Sequence, residues 1–275
     1  MGRGGEIEGA AALGLVAFYL MLSAMLGSNP ESPISQWLLR TLMGGENAWV
    51  WREGPVATAW SIPAMSMAPT LLTGDRALGV KYGRAAQRGD IWTFDHPHDD
   101  KVMVKRIVGL GGDAVEIKGG QLFLNDRPVS RTFVRNLTYV DDGMILSATE
   151  YEEQLPGETR PHLIHEFSDQ DALDETPRFV VPQGHYFMMG DSRDNSEDSR
   201  APSGHRPLAA KAPELWPLRP AYLPSNTRDD AIGFVPEENL IARVVTVPVS
   251  FRECRRPADL PQSVVCLKPS INKRL

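Results

Sequence analysis

From Gly9 to Pro30 the chain carries no charged residue, and the stretch GAAALGLVAFYLMLSAML is almost wholly apolar. About 20 such residues span a bilayer as a helix, so whatever folds behind this segment folds beside a membrane. A cleavable export signal also has an apolar core, but it needs small residues at −1 and −3 of the cut. Placing −1 at Ala24, Gly27 or Ser28 puts Leu22, Met25 or Leu26 at −3. The leading residues hold Arg3 against Glu6 and Glu8 instead of a basic cluster. The segment reads as an uncleaved transmembrane anchor over residues 9–28, behind a short tail of residues 1–8. The same mixed charge gives only a weak orientation signal.

Behind the anchor, 22 prolines and 24 glycines in 275 residues suit a loop-rich, mainly β fold better than a helical bundle. The net charge of −6 argues against a nucleic-acid partner, which wants a basic face. Cys254 and Cys266 are the two cysteines. They either close a short disulfide loop, which needs an oxidising compartment, or remain two thiols.

Residues 29–58 read as a juxtamembrane linker in which Ile34, Trp37, Leu38 and Thr41 recur at helical spacing, a short amphipathic helix for the membrane surface. A β domain follows over residues 59–250. RALGVKY and GDIWTF are short and partly alternating, KVMVKRIVGL is a β-branched run, and AVEIKGGQLFLND reads as a hairpin turning at Gly119-Gly120. Residues 130–180 are polar and acidic with few strong signals and read as an inserted subdomain. RFVVPQGHYFMMGDSRDNSEDSR brings a strand into a dense polar loop. Residues 201–232 are Pro-rich and read as a long insertion, either inert or tethered near the site to narrow access or hold a partner. GFVPEENLIARVVTVPV returns to strand, and residues 251–275 form a C-terminal tail.

Several motifs tempt and fail. Gly109 to Ala114 fits G-x-G-x-x-A after a strand, but the dinucleotide fingerprint needs a helix next and VEIKGGQLF follows. An EF-hand reading of the 191–200 loop puts Arg193 and Ser196 where Asp/Asn and Gly belong, and its arginines would repel an ion. His96 and His98 flank a proline beside acids and read as a solvated loop. His162, His165, His185 and His205 share no spacing that suggests a metal site or a triad. No metal and no cofactor is expected, and a hydrolytic base here would not be histidine.

That leaves a serine and a lysine. In SIPAMSMAPTLLTGD, Pro63 and Pro69 exclude a helix and predict an extended, bracketed segment around Ser66. It reads either as core with one satisfied hydroxyl or as a nucleophile. In KVMVKRIV the strand period puts Met103, Lys105 and Ile107 on one face. Lysine among apolar neighbours loses solvation of its charged form and becomes available as a general base towards a serine hydroxyl. The other reading is a lysine snorkelling at a strand edge. Arg106, on the opposite face, needs a carboxylate if it is buried, and the acidic 191–198 loop can supply one.

IPAMSMAPTLLTGD, RGDIWTF, VKRIVGLGGD, MGDSRDNSEDSR and IGFVPEENLIARV, in that order, resemble the blocks of the bacterial type I signal peptidases over roughly residues 59–128 and 180–247. The resemblance implies a signal-peptidase-like domain of coiled antiparallel sheets behind one transmembrane helix. It would sit on the outer, periplasmic side of the bacterial plasma membrane, touching membrane lipid and cutting signal peptides from exported preproteins with a Ser-Lys dyad. By position Ser66 is similar to the nucleophile and Lys105 to the base. Ser196 matches the lysine-orienting serine, and Arg106, Asp191, Asp198 and Arg200 match bracing ion pairs. Ile62, Ala64, Met67, Leu71, Met103 and Val104 match the walls of pockets for small −1 and −3 side chains. Many family members have Ser-Gly where Ala64-Met65 stands, so a hydroxyl donor to the oxyanion hole is missing. Residues 201–232 are a second departure. The departures motivate two rivals: a narrow relative maturing a pilin or conjugation protein, and a catalytically weak, membrane-tethered peptide-binding domain.

Overall fold

The computed structural model describes residues 57–81, 84–141, 144–168, 171, 173–201, 232–251, 263–269, 271 and 275. The anchor over 9–28, the juxtamembrane helix, nearly all of the 201–232 insertion, and Cys254 lie outside the described residues. Among those described, no helix is long and apolar enough to cross a membrane.

Fifteen strands follow in order: β1 (Ala57–Ser61), β2 (Asp75–Val80), β3 (Ile91–Asp95), β4 (Val102–Gly109), β5 (Ala114–Lys118), β6 (Gln121–Leu124), β7 (Arg127–Pro128), β8 (Ser130–Asp141), β9 (Met144–Gln154), β10 (His162–Glu166), β11 (Phe179–Val180), β12 (His185–Met189), β13 (Val235–Pro236), β14 (Leu240–Ser250) and β15 (Val264–Cys266). They form a seven-stranded sheet, β1-β2-β14-β3-β4-β12-β13, and two four-stranded sheets, β10-β9-β8-β15 and β11-β5-β6-β7. The pairing is antiparallel except for β15, which runs parallel to β8, a departure from the all-antiparallel expectation. Cys266, at the end of β15, is disulfide-bonded.

The mainly β reading holds, and so does the hairpin: β5 pairs β6 through Gly119 and Gly120, both at positive φ (53° and 70°), which glycine adopts without strain. Its inward residues Val115, Ile117, Leu122 and Leu124 pack with Val108 and Phe187 of the large sheet. The rejected dinucleotide motif is indeed followed by a strand. Residues 130–180, whose sequence carries few strong signals, contain the longest hairpin, β8 paired with β9 from Ser130↔Gln154 to Asp141↔Met144. His96 also departs from the solvated-loop reading: it is buried, and its Nδ1 accepts the His98 backbone N–H at 3.1 Å.

The segment between β1 and β2 is a chain of turns, not the extended run predicted from its prolines. The Ala68 N–H donates to Met65 O and the Leu71 N–H to Met67 O, each at 2.9 Å, while Gly74 N–H closes the loop on Ile62 O. Burial explains the geometry. Met65, Ala68 and Leu72 pack with Leu137, Tyr139 and Ala148 of the long hairpin. Ile62, Met67 and Leu71 pack with Ala77, Ile91 and Val244 of the large sheet. Each fully buried side chain contributes about 1.5–3 kcal/mol, and an extended segment would not place all six in two separate cores. Ser66 is left between the two methionines, at the seam of the cores.

Candidate active site

Lys105 sits in the middle of β4, opposite Trp92 of β3. Its strand neighbours on the same face, Met103 and Ile107, join Trp92, Phe94 and Met188 in one apolar cluster. The side chain is 2% exposed. Burial pushes its amine down to about 8, against the opposing pull of the Asp198, Glu197 and Asp191 charges. Lys105 Nζ lies 2.8 Å from Ser66 Oγ, donating to it. Ser66 keeps part of its surface open. A partly exposed hydroxyl thus meets a dry amine whose proton is loosely held.

The 191–200 loop holds this pair in place. Its Ser192 N–H donates to Ser66 O at 3.1 Å. Arg106, on the opposite face of β4, grips Asp191 with two parallel bonds, Nε to Oδ1 at 2.8 Å and Nη2 to Oδ2 at 2.7 Å, and its Nη1 donates to Gly89 O. Burial alone would raise the Asp191 carboxyl; the guanidinium outweighs it and holds the group below the usual carboxylate range. Asp191 Oδ2 also accepts the Thr70 hydroxyl, tying the loop to the turns that carry Ser66. Asp198 receives Arg200 Nε and Nη2 at 2.9 and 2.8 Å and the Gly190 N–H at 3.0 Å. The arginine-to-carboxylate partnerships anticipated for Arg106 are therefore present in the fold.

Gly190 is where the loop and the serine segment touch. A Cβ there would stand 2.2 Å from Ser196 Oγ and 2.4 Å from Ser66 O, so only glycine lets them meet. Ser196 is fully buried and its hydroxyl has no hydrogen-bond partner. Of the six apolar positions, Ile62, Met67 and Leu71 are core residues at 3, 0 and 0% exposure. Ala64 is exposed, and Met103 and Val104 are half-buried. Those three have surface to offer a substrate; the first three form a core cluster against which Val104 alone of them packs. A cavity of about 600 Å³ opens on the far side of Arg106, walled by Thr70, Arg88, Glu158, His162 and Arg243 among others; neither Ser66 nor Lys105 lines it.

Sequence reasoning missed a second tier of buried charge. Arg193 binds Glu153 through both Nη atoms. His162 Nδ1 sits 3.0 Å from Glu158 Oε1, and Glu158 lies 3.6 Å from Arg106. His165, completely buried, meets Glu150 at 3.1 Å. Glu153 and Glu150 come from the acidic run TEYEEQ, and nothing local reveals the histidines that the β9–β10 pairing brings to it or the arginines that arrive from the 191–200 loop and β8.

Residues 36–248 match the family model described as signal peptidase, peptidase S26. A signal peptidase I of Pseudomonas fluorescens is 33% identical over 211 residues, 70% of this chain and 65% of that protein. Its counterpart in Pseudomonas aeruginosa is 31% identical over 70% of this chain and 64% of its own. One from Rickettsia massiliae is 30% identical over 57% and 70%. The chain thus spans a little under two thirds of the length of the two Pseudomonas relatives. A solved signal peptidase I from Enterococcus faecalis overlaps 59% of this chain and 98% of its own at 20% identity and a TM-score of 0.30, a likeness too loose to inform the geometry.

Proposed function

The chain belongs to the signal peptidase family, peptidase S26, and from that premise we propose a membrane-anchored serine endopeptidase that removes signal peptides from exported preproteins at the outer face of the bacterial plasma membrane. One observation carries the reading: the 2.8 Å contact between the Ser66 hydroxyl and a 2%-exposed lysine amine.

With Lys105 neutral, the same contact runs from the Ser66 O–H to the amine lone pair. Lys105 takes the proton as Ser66 Oγ attacks the scissile carbonyl. The tetrahedral intermediate collapses to an ester on Ser66, and the departing amine takes the proton back from Lys105. A water, deprotonated by the same amine, then hydrolyses the ester. The Ser66 backbone N–H is the natural donor to the oxyanion, and Ala64 supplies no second one. Ser196, buried beside Gly190 with a hydroxyl that no other group takes up, is given the role of orienting the amine by the family resemblance. Asp191–Arg106 and Asp198–Arg200 fix the loop that carries it. Ala64, Met103 and Val104 give an apolar approach suited to small side chains.

Rapid quenching of the enzyme with a peptide bearing Ala-x-Ala before the cut, followed by intact-mass and fragment analysis, tests this chemistry. The N-terminal half of the substrate should be found esterified to Ser66. An adduct on another residue would overturn the assignment.

A further inference from the structure

The 191–200 loop has a second contact surface, away from the serine. Glu166 closes β10, Asp174 lies in the loop that follows it, and Asp194 sits in the short 3₁₀ turn Arg193–Asn195. One carboxylate oxygen of each lies within 4.8 Å of the other two. All three side chains are buried, at 5, 3 and 1% exposure. Oxygens bound to one cation at about 2.4 Å lie no more than about 4.8 Å apart, a limit that all three pairs meet.

Asp194 supplies an independent sign. Its Oδ2 accepts the Phe167 and Ser168 N–H groups at 2.7 and 2.9 Å, but Oδ1 is enclosed and has no hydrogen-bond partner. A buried carboxylate oxygen left so is costly unless something positive meets it. The arginines of the loop do not: Arg193 is committed to Glu153 and Arg200 to Asp198. They are the residues that made the loop look hostile to an ion in sequence, and the fold has used them elsewhere. Arg131 touches the cluster, at 3.2 Å from Glu166, one guanidinium against three carboxylates. Their crowding is felt: burial and the neighbouring Asp194 push Glu166 up to about 8, and burial pushes Asp174 up to about 6.

We infer that Glu166, Asp174 and Asp194 form a binding site for one divalent, oxygen-seeking cation of the calcium class, which clamps the 191–200 loop to the 166–174 segment. Carboxylates alone do not suit zinc or copper, which favour imidazole and thiolate. Three exceed the one or two that magnesium normally takes from a protein. The ion stands behind the loop that carries Asp191, Ser196 and Asp198, so its effect on cleavage is through loop position and not through chemistry.

The test uses the full chain in detergent, stripped with chelator and dialysed. Calcium should raise Tm by about 5–10 °C at a hundredfold excess over its Kd, with calorimetric stoichiometry of one. Manganese should lose its free-ion paramagnetic resonance signal on binding and regain it when calcium is added. Glu166→Gln and Asp174→Asn, each checked by circular dichroism, should remove the calcium response. Two results overturn the site: a folded wild type showing neither a Tm shift nor calcium heat, or a response that survives in both variants.

Discussion

The rate of cleavage should titrate with the Lys105 amine, and the structure sets where. Moving that pKa from 10.5 to about 8 favours the neutral amine by about 3 kcal/mol. With a value of 8, roughly a tenth of the enzyme is ready at pH 7, half at pH 8 and nine tenths at pH 9, so kcat/KM should rise about tenfold from pH 7 to 9 and then level. An unperturbed lysine would still be climbing at pH 10. The neighbouring charges fix the sign of a second shift. Asp198, Glu197 and Asp191 favour the protonated amine, so Glu197→Gln should move the midpoint to lower pH and raise activity at pH 7. The assay is kcat/KM for a fluorogenic Ala-x-Ala peptide between pH 6 and 10, with single-turnover runs to confirm that chemistry limits. A flat profile, or a midpoint that moves up in Glu197→Gln, would refute the role given to the amine.

Arg106→Ala strands the Asp191 carboxylate, 1% exposed, and should cost about 3–5 kcal/mol, a fall in Tm of about 6–20 °C; a loss below about 1 kcal/mol in urea unfolding would mean the pair is solvated. Gly190→Ala drives a methyl to 2.4 Å from Ser66 O and should lower cleavage at least about a hundredfold, which near-wild-type turnover would contradict. Ala64→Ser, at an exposed position, should leave Tm unchanged and raise kcat by up to about a hundredfold by adding an oxyanion donor; an unchanged kcat would mean another donor already serves.

The strands nearest the dyad were legible because their periodicity is clean: β4 shows Met103, Lys105 and Ile107 on one face, and the Gly119-Gly120 turn fixes its hairpin. The pairing of Arg106 with the 191–198 loop was legible as a need, since a buried guanidinium requires a carboxylate, though only the fold chose Asp191. The serine segment was misread because proline restricts two dihedrals while the burial of Met65 and Met67 in opposite cores decides the path. The long β8–β9 hairpin was missed although Asp142-Gly143 between alternating residues is a hairpin signal; the polar, acidic composition of residues 130–180 masked the apolar alternation of its strands. Glu153, His162 and the Glu166–Asp174–Asp194 cluster had no local signature, because each exists only once β9, β10 and the 191–200 loop come together.

The central claim is that Ser66 and Lys105 act as one unit on a signal peptide. The most direct measurement is cleavage of a preprotein with an Ala-x-Ala site by the detergent-solubilised chain, run beside Ser66→Ala and Lys105→Ala, with mass spectrometry locating the cut. The account predicts cleavage after the −1 alanine by the wild type and none by either folded variant. Cleavage that persists without Lys105, or a folded wild type that binds the preprotein and leaves it whole, would contradict it.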